Sequence, residues 1–156
     1  MMLRKIQPKK IRSRGGNFAI VASRYNARYV DAMLRAAKEE LWRAEVSKIQ
    51  IVRVPGAYEI PVAAKCLAGV SPELSGIICL GVILRGETTH AAHIGEAVSH
   101  ALMQIQIGHE IPVVHEVLLL ENEEQARVRC LGENNRGTEA AQTALDMARV
   151  MEKLRG

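Results

Sequence analysis

The sequence SGIICLGVIL at residues 75–84 decides the fold. It is apolar along almost its whole length, whereas a strand with one face in water alternates between apolar and polar residues. A continuous apolar run is typical of a central strand in a parallel sheet, because such a strand is covered on both faces. We therefore expect residues 75–84 to lie in the middle of a parallel sheet.

Shorter strand-like segments alternate with segments of helical spacing along the rest of the chain. The predicted strands are Asn17–Ser23, Lys48–Val54, residues 75–84 and residues 112–120. Apolar residues three or four positions apart predict helices over roughly residues 30–41, 59–67, 89–107, 123–130 and 138–154. This alternation predicts an α/β fold in which right-handed connections build one parallel sheet.

Length and composition indicate one domain preceded by a basic arm. The chain has 156 residues, of which 48% are hydrophobic and 24% are charged, as in ordinary globular domains. Residues 1–14 contain six Lys or Arg residues and no acid, which leaves 15 basic against 17 acidic residues elsewhere. We assign residues 1–16 to the arm and residues 17–156 to a single α/β domain. Solvation of the arm, or its packing on a neighbouring subunit, is favoured over nucleic-acid binding.

The sequence lacks the signatures of several other classes of protein. Cys66, Cys79 and Cys130 show no zinc-binding spacing, and no Walker, dinucleotide-binding or nucleophile-elbow motif occurs. His90 and His93 are spaced to share a metal ion, but the sequence offers no third ligand nearby. Neither a signal peptide nor a membrane-spanning run is evident. We therefore expect a cytoplasmic protein with neither a membrane nor a nucleic-acid partner.

Residues 85–90, RGETTH, follow the central strand directly and open the next predicted helix. Ligands of parallel α/β sheets bind beyond the carboxyl ends of the strands, where this segment is expected. Gly86 permits a tight turn, and backbone amides with the hydroxyl of Thr88 or Thr89 suit a phosphate at a helix start. His90 is placed to exchange protons near neutral pH. An ordinary capped helix start with a surface histidine stays open as the alternative.

The few aromatic residues and three arginines are further candidates for ligand binding. Tyr25 and Tyr58 follow two other predicted strands, where each ring either stacks on a flat heterocycle or covers an edge of the core. Glu59 either accepts hydrogen bonds from a polyol or serves as a charge at a helix start. Arginines near the last two helices suit phosphate, although helical arginines commonly form a solvated face. These are Arg127, Arg129 and Arg136.

Taken together, these segments are similar to the lumazine synthase family. The matching stretches are AIVASRYN at 19–26, VPGAYEIPVAAK at 54–65, GVILRGETTH at 81–90, IPVVHEVLLLENEEQARVRC at 111–130 and NRGTEAA at 135–141. The resemblance implies a flavodoxin-like three-layer α/β/α sandwich with a four-stranded parallel sheet.

The resemblance also implies an assembly and a reaction. Members of the family form pentamers, decamers or sixty-subunit icosahedral shells, with active sites between adjacent subunits. The implied reaction condenses 5-amino-6-(D-ribitylamino)uracil with 3,4-dihydroxy-2-butanone 4-phosphate to give 6,7-dimethyl-8-ribityllumazine, phosphate and water. This is the penultimate step of riboflavin biosynthesis, it implies no metal or organic cofactor, and riboflavin synthase is the implied protein partner.

Individual residues take roles from the same resemblance. His90 corresponds to the general acid/base, and Tyr25 to an aromatic residue that stacks on the pyrimidine. In the phosphate loop, the backbone amide of Glu87, and not its carboxylate, is expected to face the anion. The residues implied to hold ribitylaminouracil are Tyr25, Ala57, Tyr58, Glu59, Val82, Ile83, Leu84 and His115. Those implied to hold the butanone phosphate are Glu87, Thr88 and, from a neighbouring subunit, Arg129.

Three positions depart from the family pattern. His115 stands where an aromatic residue, often Phe, is common, and an imidazole can stack but also titrates. Ala92 replaces an acidic residue often found two positions after the histidine, and Arg136 replaces a frequent lysine while keeping its charge. Two other functions remain alternatives: passive flavin or nucleotide binding, and a structural shell or RNA-associated role of the basic arm.

Overall fold

The computed structural model describes residues 15–87 and 89–156 of the chain. Residues 1–14 of the basic arm, and Thr88 of the predicted phosphate loop, lie outside the described residues. The strands are β1 (Asn17–Ser23), β2 (Lys48–Val54), β3 (Leu74–Leu84) and β4 (Val113–Leu120). The helices are α1 (Ala27–Arg43), α2 (Ile60–Val70), α3 (Ala91–His109), α4 (Glu123–Cys130) and α5 (Arg136–Arg155), with short 3₁₀ turns at Ala57–Glu59 and Arg85–Glu87.

The four strands form one parallel sheet in the order β2-β1-β3-β4. Helices cover both faces of this sheet, so the predicted flavodoxin-like three-layer α/β/α sandwich is confirmed. From β1 the chain runs outward to β2 and then crosses back past β1 to β3. The strand order therefore reverses between β1 and β3, and a crevice opens at such a reversal beyond the carboxyl ends of the strands.

Strand β3 is buried on both faces, as its continuous apolar sequence predicts. One alternate set of its side chains, including Ile78 and Leu80, packs with residues of α1, α4 and α5. The other set, including Ile77 and Cys79, packs with residues of α2 and α3. Since side chains alternate between the two faces of a strand, one apolar run supplies both hydrophobic layers of the protein.

Helices α1 and α5 lie so close together that only glycine fits between them. A Cβ atom built on Gly137 would lie 2.0 Å from the carbonyl oxygen of Met33 in α1. Asn135 fixes the start of α5, because its Oδ1 accepts a 2.8 Å hydrogen bond from the Gly137 amide. Its Nδ2 donates to the carbonyl oxygens of Ala32 at 3.2 Å and Cys130 at 2.7 Å. One side chain therefore joins α1, α4 and α5.

Predicted helix boundaries differ from the observed ones by a few residues. α2 begins at Ile60, after a 3₁₀ turn that contains Glu59, and α3 begins at Ala91 and not at residue 89. α5 begins at Arg136, two residues before its predicted start, because Asn135 caps it. Within the described residues, none of the helices has the length and apolar character needed to cross a membrane.

Candidate active site

A cavity of about 580 Å³ opens at the carboxyl ends of β1, β2 and β3, where the strand order reverses. We call it the strand-end cavity. Its lining residues are Tyr25, Asn26, Gly56, Ala57, Tyr58, Glu59, Val82, Ile83, Leu84 and Ile94. Seven of the eight residues that the resemblance assigns to ribitylaminouracil thus lie together, although they come from three separate parts of the sequence.

Two exposed tyrosines dominate the mouth of the strand-end cavity. Tyr25 is 65% exposed and Tyr58 is 67% exposed, so neither covers the core in this chain. Gly56 allows the Tyr25 ring to lie close to the backbone. A Cβ at Gly56 would lie 2.8 Å from Cδ2 of Tyr25 and 3.2 Å from Oε2 of Glu59. The cavity therefore presents aromatic faces beside a carboxylate, which suits a flat polar heterocycle that carries hydroxyl groups.

Asn26 and Arg53 position the rim of the cavity, although no sequence motif indicates a role for either residue. Asn26 adopts a left-handed conformation (φ 60°), and its Nδ2 donates a 2.8 Å hydrogen bond to the Val82 carbonyl oxygen. Arg53 donates to the carbonyl oxygen of Ser23 at 2.9 Å and to Oδ1 of Asp31 at 2.7 Å. These bonds fasten the end of β1 to its neighbours, so the cavity has a fixed framework.

Comparison with known proteins decides the family. A sequence model for 6,7-dimethyl-8-ribityllumazine synthase matches residues 15–152, which is nearly the whole described chain. The chain belongs to the lumazine synthase family.

Three relatives carry the same name. Identity is 40% over 140 residues with the 6,7-dimethyl-8-ribityllumazine synthase of Xanthomonas oryzae pv. oryzae strain PXO99A, covering 88% of this chain and 90% of the relative. It is 40% over 147 residues with that of Xylella fastidiosa strain 9a5c, covering 92% and 95%. The relative in Stenotrophomonas maltophilia strain R551-3 is 38% identical over 140 residues, covering 88% and 90%.

In this lumazine synthase family member, the segment after β3 forms a tight turn before α3. Arg85–Glu87 is a 3₁₀ turn, and the exposed His90 immediately precedes α3. The centroids of the His90 and His93 rings lie 6.3 Å apart. The described residues that line the strand-end cavity do not include His90. Its predicted role therefore requires that the bound substrates reach from the cavity to the start of α3.

His115 lies on a different surface of this lumazine synthase family member. A shallow groove of about 1130 Å³, which we call the edge groove, runs between α3 and the edge strand β4. Its lining residues are Arg85, Ala92, His93, Gly95, Glu96, Ala97, Ser99, His100, His115, Val117 and Leu119. A single chain therefore does not place His115 with the other seven predicted ribitylaminouracil residues.

The three candidate arginines differ in their surroundings. Arg127 pairs with Glu124, and Nη1 of Arg136 lies 2.9 Å from Oε2 of Glu139. Both pairs are local contacts one helical turn apart. The Arg127 pair is exposed, as on a solvated helix face, whereas Arg136 and Glu139 are partly buried. Arg129 is exposed on α4 and does not line the strand-end cavity. Like His115, it can meet a ligand in this cavity only if a second copy contributes it.

Glu116 is a titratable residue that no local sequence pattern singles out. It is half-buried on β4, and its Cα is paired in register with that of the fully buried Leu80. Burial raises the pKa of Glu116 to about 7, while the positive charges of Arg136 and Arg129 oppose the rise and Glu139 adds to it. The charge on this carboxylate therefore changes near neutral pH.

Proposed function

We propose that this protein is a 6,7-dimethyl-8-ribityllumazine synthase. The observation that supports the proposal most strongly is the convergence of Tyr25, residues 57–59 and residues 82–84 on one cavity at the strand reversal. In the proposed reaction, 5-amino-6-(D-ribitylamino)uracil and 3,4-dihydroxy-2-butanone 4-phosphate condense to 6,7-dimethyl-8-ribityllumazine, phosphate and water. This is the penultimate step of riboflavin biosynthesis.

The strand-end cavity suits the pyrimidine substrate. Tyr25 offers a ring face to the heterocycle, and Ala57 and Tyr58 also line the cavity. The carboxylate of Glu59 accepts hydrogen bonds from ribityl hydroxyls, and residues 82–84 contact the pyrimidine edge through backbone groups. Because Asn26 already engages the Val82 carbonyl oxygen, the backbone at the end of β3 is held in place before substrate binds.

The turn before α3 suits the phosphorylated substrate. Glu87 and Thr88, with the amides at the start of α3, bind the phosphate, since the first amides of a helix are free to donate to an anion. Arg129 of a neighbouring copy neutralises the phosphate as it leaves. An exposed arginine fits this role because its planar guanidinium donates two parallel hydrogen bonds to one anion.

His90 moves the protons of the reaction. The amine of the uracil attacks the ketone to form an imine with loss of water. Elimination of phosphate then leaves an enol that tautomerises to a ketone, and attack of the ribityl-bearing nitrogen on this ketone closes the ring with loss of a second water. Each step needs a proton added or removed, which an imidazole near neutral pH performs. Holding two reactants together supplies much of the acceleration, so the proposal includes no metal and no organic cofactor.

The proposed assembly is a homopentamer in the cytoplasm. A shared site is supported by the separation of His115 and Arg129 from the strand-end cavity within one chain. A decamer or a sixty-subunit shell built from such pentamers, and an association with riboflavin synthase, are extensions of the same proposal. Mass measurement in solution distinguishes these assemblies.

The test is formation of lumazine by the purified protein. Mixing it with both substrates is expected to produce the fluorescence of 6,7-dimethyl-8-ribityllumazine above the uncatalysed rate. His90→Ala is expected to lower kcat by roughly 100-fold or more without abolishing turnover, because general acid–base catalysis contributes about 10²–10⁴-fold. A catalysed rate indistinguishable from the background would refute the proposal and favour a passive binding protein.

The phosphate role has a matched control two residues away. Arg129→Ala is expected to raise the KM for the butanone phosphate and to leave the KM for ribitylaminouracil nearly unchanged. Arg127→Ala removes another exposed arginine of the same helix, one that pairs with Glu124, and it is expected to change neither constant. Equal effects of the two substitutions would show that Arg129 has no specific phosphate contact.

A further inference from the structure

Both ring nitrogens of His115 are engaged in hydrogen bonds. The backbone amide of Val117 donates to Nδ1 at 3.1 Å, and Nε2 lies 2.7 Å from the hydroxyl oxygen of Ser99. Because an amide can only donate, Nδ1 must carry the lone pair. The hydrogen of a neutral ring is then on Nε2, where the Ser99 hydroxyl accepts it. A doubly protonated ring would have to give up the bond from Val117.

The position of the ring on β4 explains this arrangement. β4 is an edge strand, so alternate backbone amides point away from β3 and need another acceptor. The His115 ring accepts one of these amides, which places the imidazole over the edge of the sheet. Ser99 in α3 holds the ring from the opposite side, so its plane is fixed from two elements. The ring therefore forms part of the edge groove as an oriented flat surface.

The surroundings of His115 favour an uncharged ring. Burial lowers its pKa below the ordinary value, and its own backbone opposes this more weakly. The other titratable and charged residues that line the groove are His93, Glu96 and His100 of α3 and Arg85 of the turn after β3, which pairs with Glu121. Its register partner on β3 is Cys79, a buried thiol whose pKa is raised to about 12 and which stays uncharged.

We propose that Ser99 is a positioning residue that, together with the Val117 amide, holds His115 as the neutral Nε2–H tautomer and presents its ring face to the heterocycle bound by a neighbouring copy. This inference rests on the proposed function, and it assigns a role to a residue that contacts no reacting atom. A neutral aromatic face stacks on a pyrimidine, whereas a charged imidazolium prefers water. Fixing the tautomer therefore lets a histidine serve where an aromatic ring that does not titrate would otherwise be needed.

The test separates ring position from ring charge by three substitutions at Ser99. Ser99 is exposed, so the variants are expected to fold, and their assembly masses are compared first. The KM for ribitylaminouracil and kcat are then measured between pH 6 and pH 8. Ser99→Thr keeps the hydroxyl and is expected to behave as the unaltered protein, with a KM that changes little over this range.

Two substitutions are expected to raise KM selectively. Ser99→Ala removes the acceptor and is expected to raise this KM about threefold or more at every pH, with kcat nearly unchanged, because a contributing hydrogen bond is lost. Ser99→Asp places an anion at Nε2 and favours the imidazolium, so KM is expected to rise further as the pH falls from 8 to 6. As a control, His109→Gln changes an exposed histidine at the end of α3 that does not line the edge groove, and it is expected to leave both constants unaltered.

Long-range ¹H–¹⁵N NMR of the histidine side chains gives a readout that does not depend on activity. The unaltered protein is expected to show His115 with hydrogen on Nε2 only, at both pH 6 and pH 8. Hydrogen on Nδ1, or a KM that stays unchanged in both Ser99→Ala and Ser99→Asp, would overturn the inference while leaving the synthase proposal intact. Failure of the unaltered protein to form lumazine would overturn the two together.

Discussion

Glu116→Gln removes a charge that the folded protein accommodates poorly above neutral pH. The pKa of this carboxyl rises from an ordinary 4.5 to about 7, chiefly because β4 and the helical layer bury it. Between these two pH values the folded chain binds a proton that the unfolded chain has released. The free energy of unfolding therefore decreases as the pH rises through this window. The full cost of burying the charged carboxylate is present above pH 7. The difference between pKa 4.5 and about 7 corresponds to about 3 kcal/mol.

The glutamine variant keeps the size and hydrogen-bonding capacity of the side chain but cannot ionise. At pH 8 its free energy of unfolding is expected to exceed that of the unaltered protein by about 2–3 kcal/mol, and at pH 5 by less than about 1 kcal/mol. Urea or guanidinium denaturation at a fixed protomer concentration measures both values, since assembly makes stability concentration-dependent. Glu133→Gln, which alters an exposed carboxylate, is the control. It is expected to leave the free energy of unfolding unchanged at both pH values. If Glu116→Gln raised the free energy of unfolding equally at pH 5 and pH 8, or lowered it at pH 8, burial would not be the cause of the raised pKa.

Two further substitutions test the framework around the site. Gly137→Ala puts a Cβ 2.0 Å from the Met33 carbonyl oxygen, so α1 and α5 must separate, and a loss of roughly 3 kcal/mol or more is expected in denaturant unfolding. Gly69→Ala is its control: a Cβ there meets nothing within 4 Å, and the change is expected to stabilise α2 by about 0.5–1 kcal/mol. Asn26→Gly keeps the left-handed backbone but removes the bond to Val82, and it is expected to raise the KM for ribitylaminouracil more than it lowers kcat. An unaltered KM would show that this bond does not shape the site.

The sequence predicts those features that local patterns control. β3 was recognised because burial on both faces requires an apolar residue at nearly every position. Since parallel strands end at the same edge of a sheet, the expectation that Tyr25 and residues 57–59 contribute to one site follows from the strand pattern. The place of residues 82–84 in that site is implied by the resemblance to the family. Boundaries of α2 and α3 were less predictable, because neither helix start has a side chain that caps it.

Features that depend on strand order and long-range contact were not predictable. Asn26 and Val82 are 56 positions apart, and their hydrogen bond exists only because β1 and β3 are neighbours. The separation of His115 from the strand-end cavity follows from the edge position of β4. Glu116 appears as an ordinary polar position in its strand, and its raised pKa arises from the helical layer that packs over it.

Complementation between two variants tests most directly the central claim, that two copies of this chain complete one lumazine-forming site. Glu59→Ala damages the strand-end cavity, and Arg129→Ala damages the phosphate contact expected from the neighbouring copy. Each variant is expected to have low kcat/KM by itself. When equal amounts are unfolded together and reassembled, about one quarter of the sites in randomly mixed rings receive both intact residues, so about one quarter of the wild-type rate is expected. A mixture no more active than the average of the two variants would contradict a site shared between subunits.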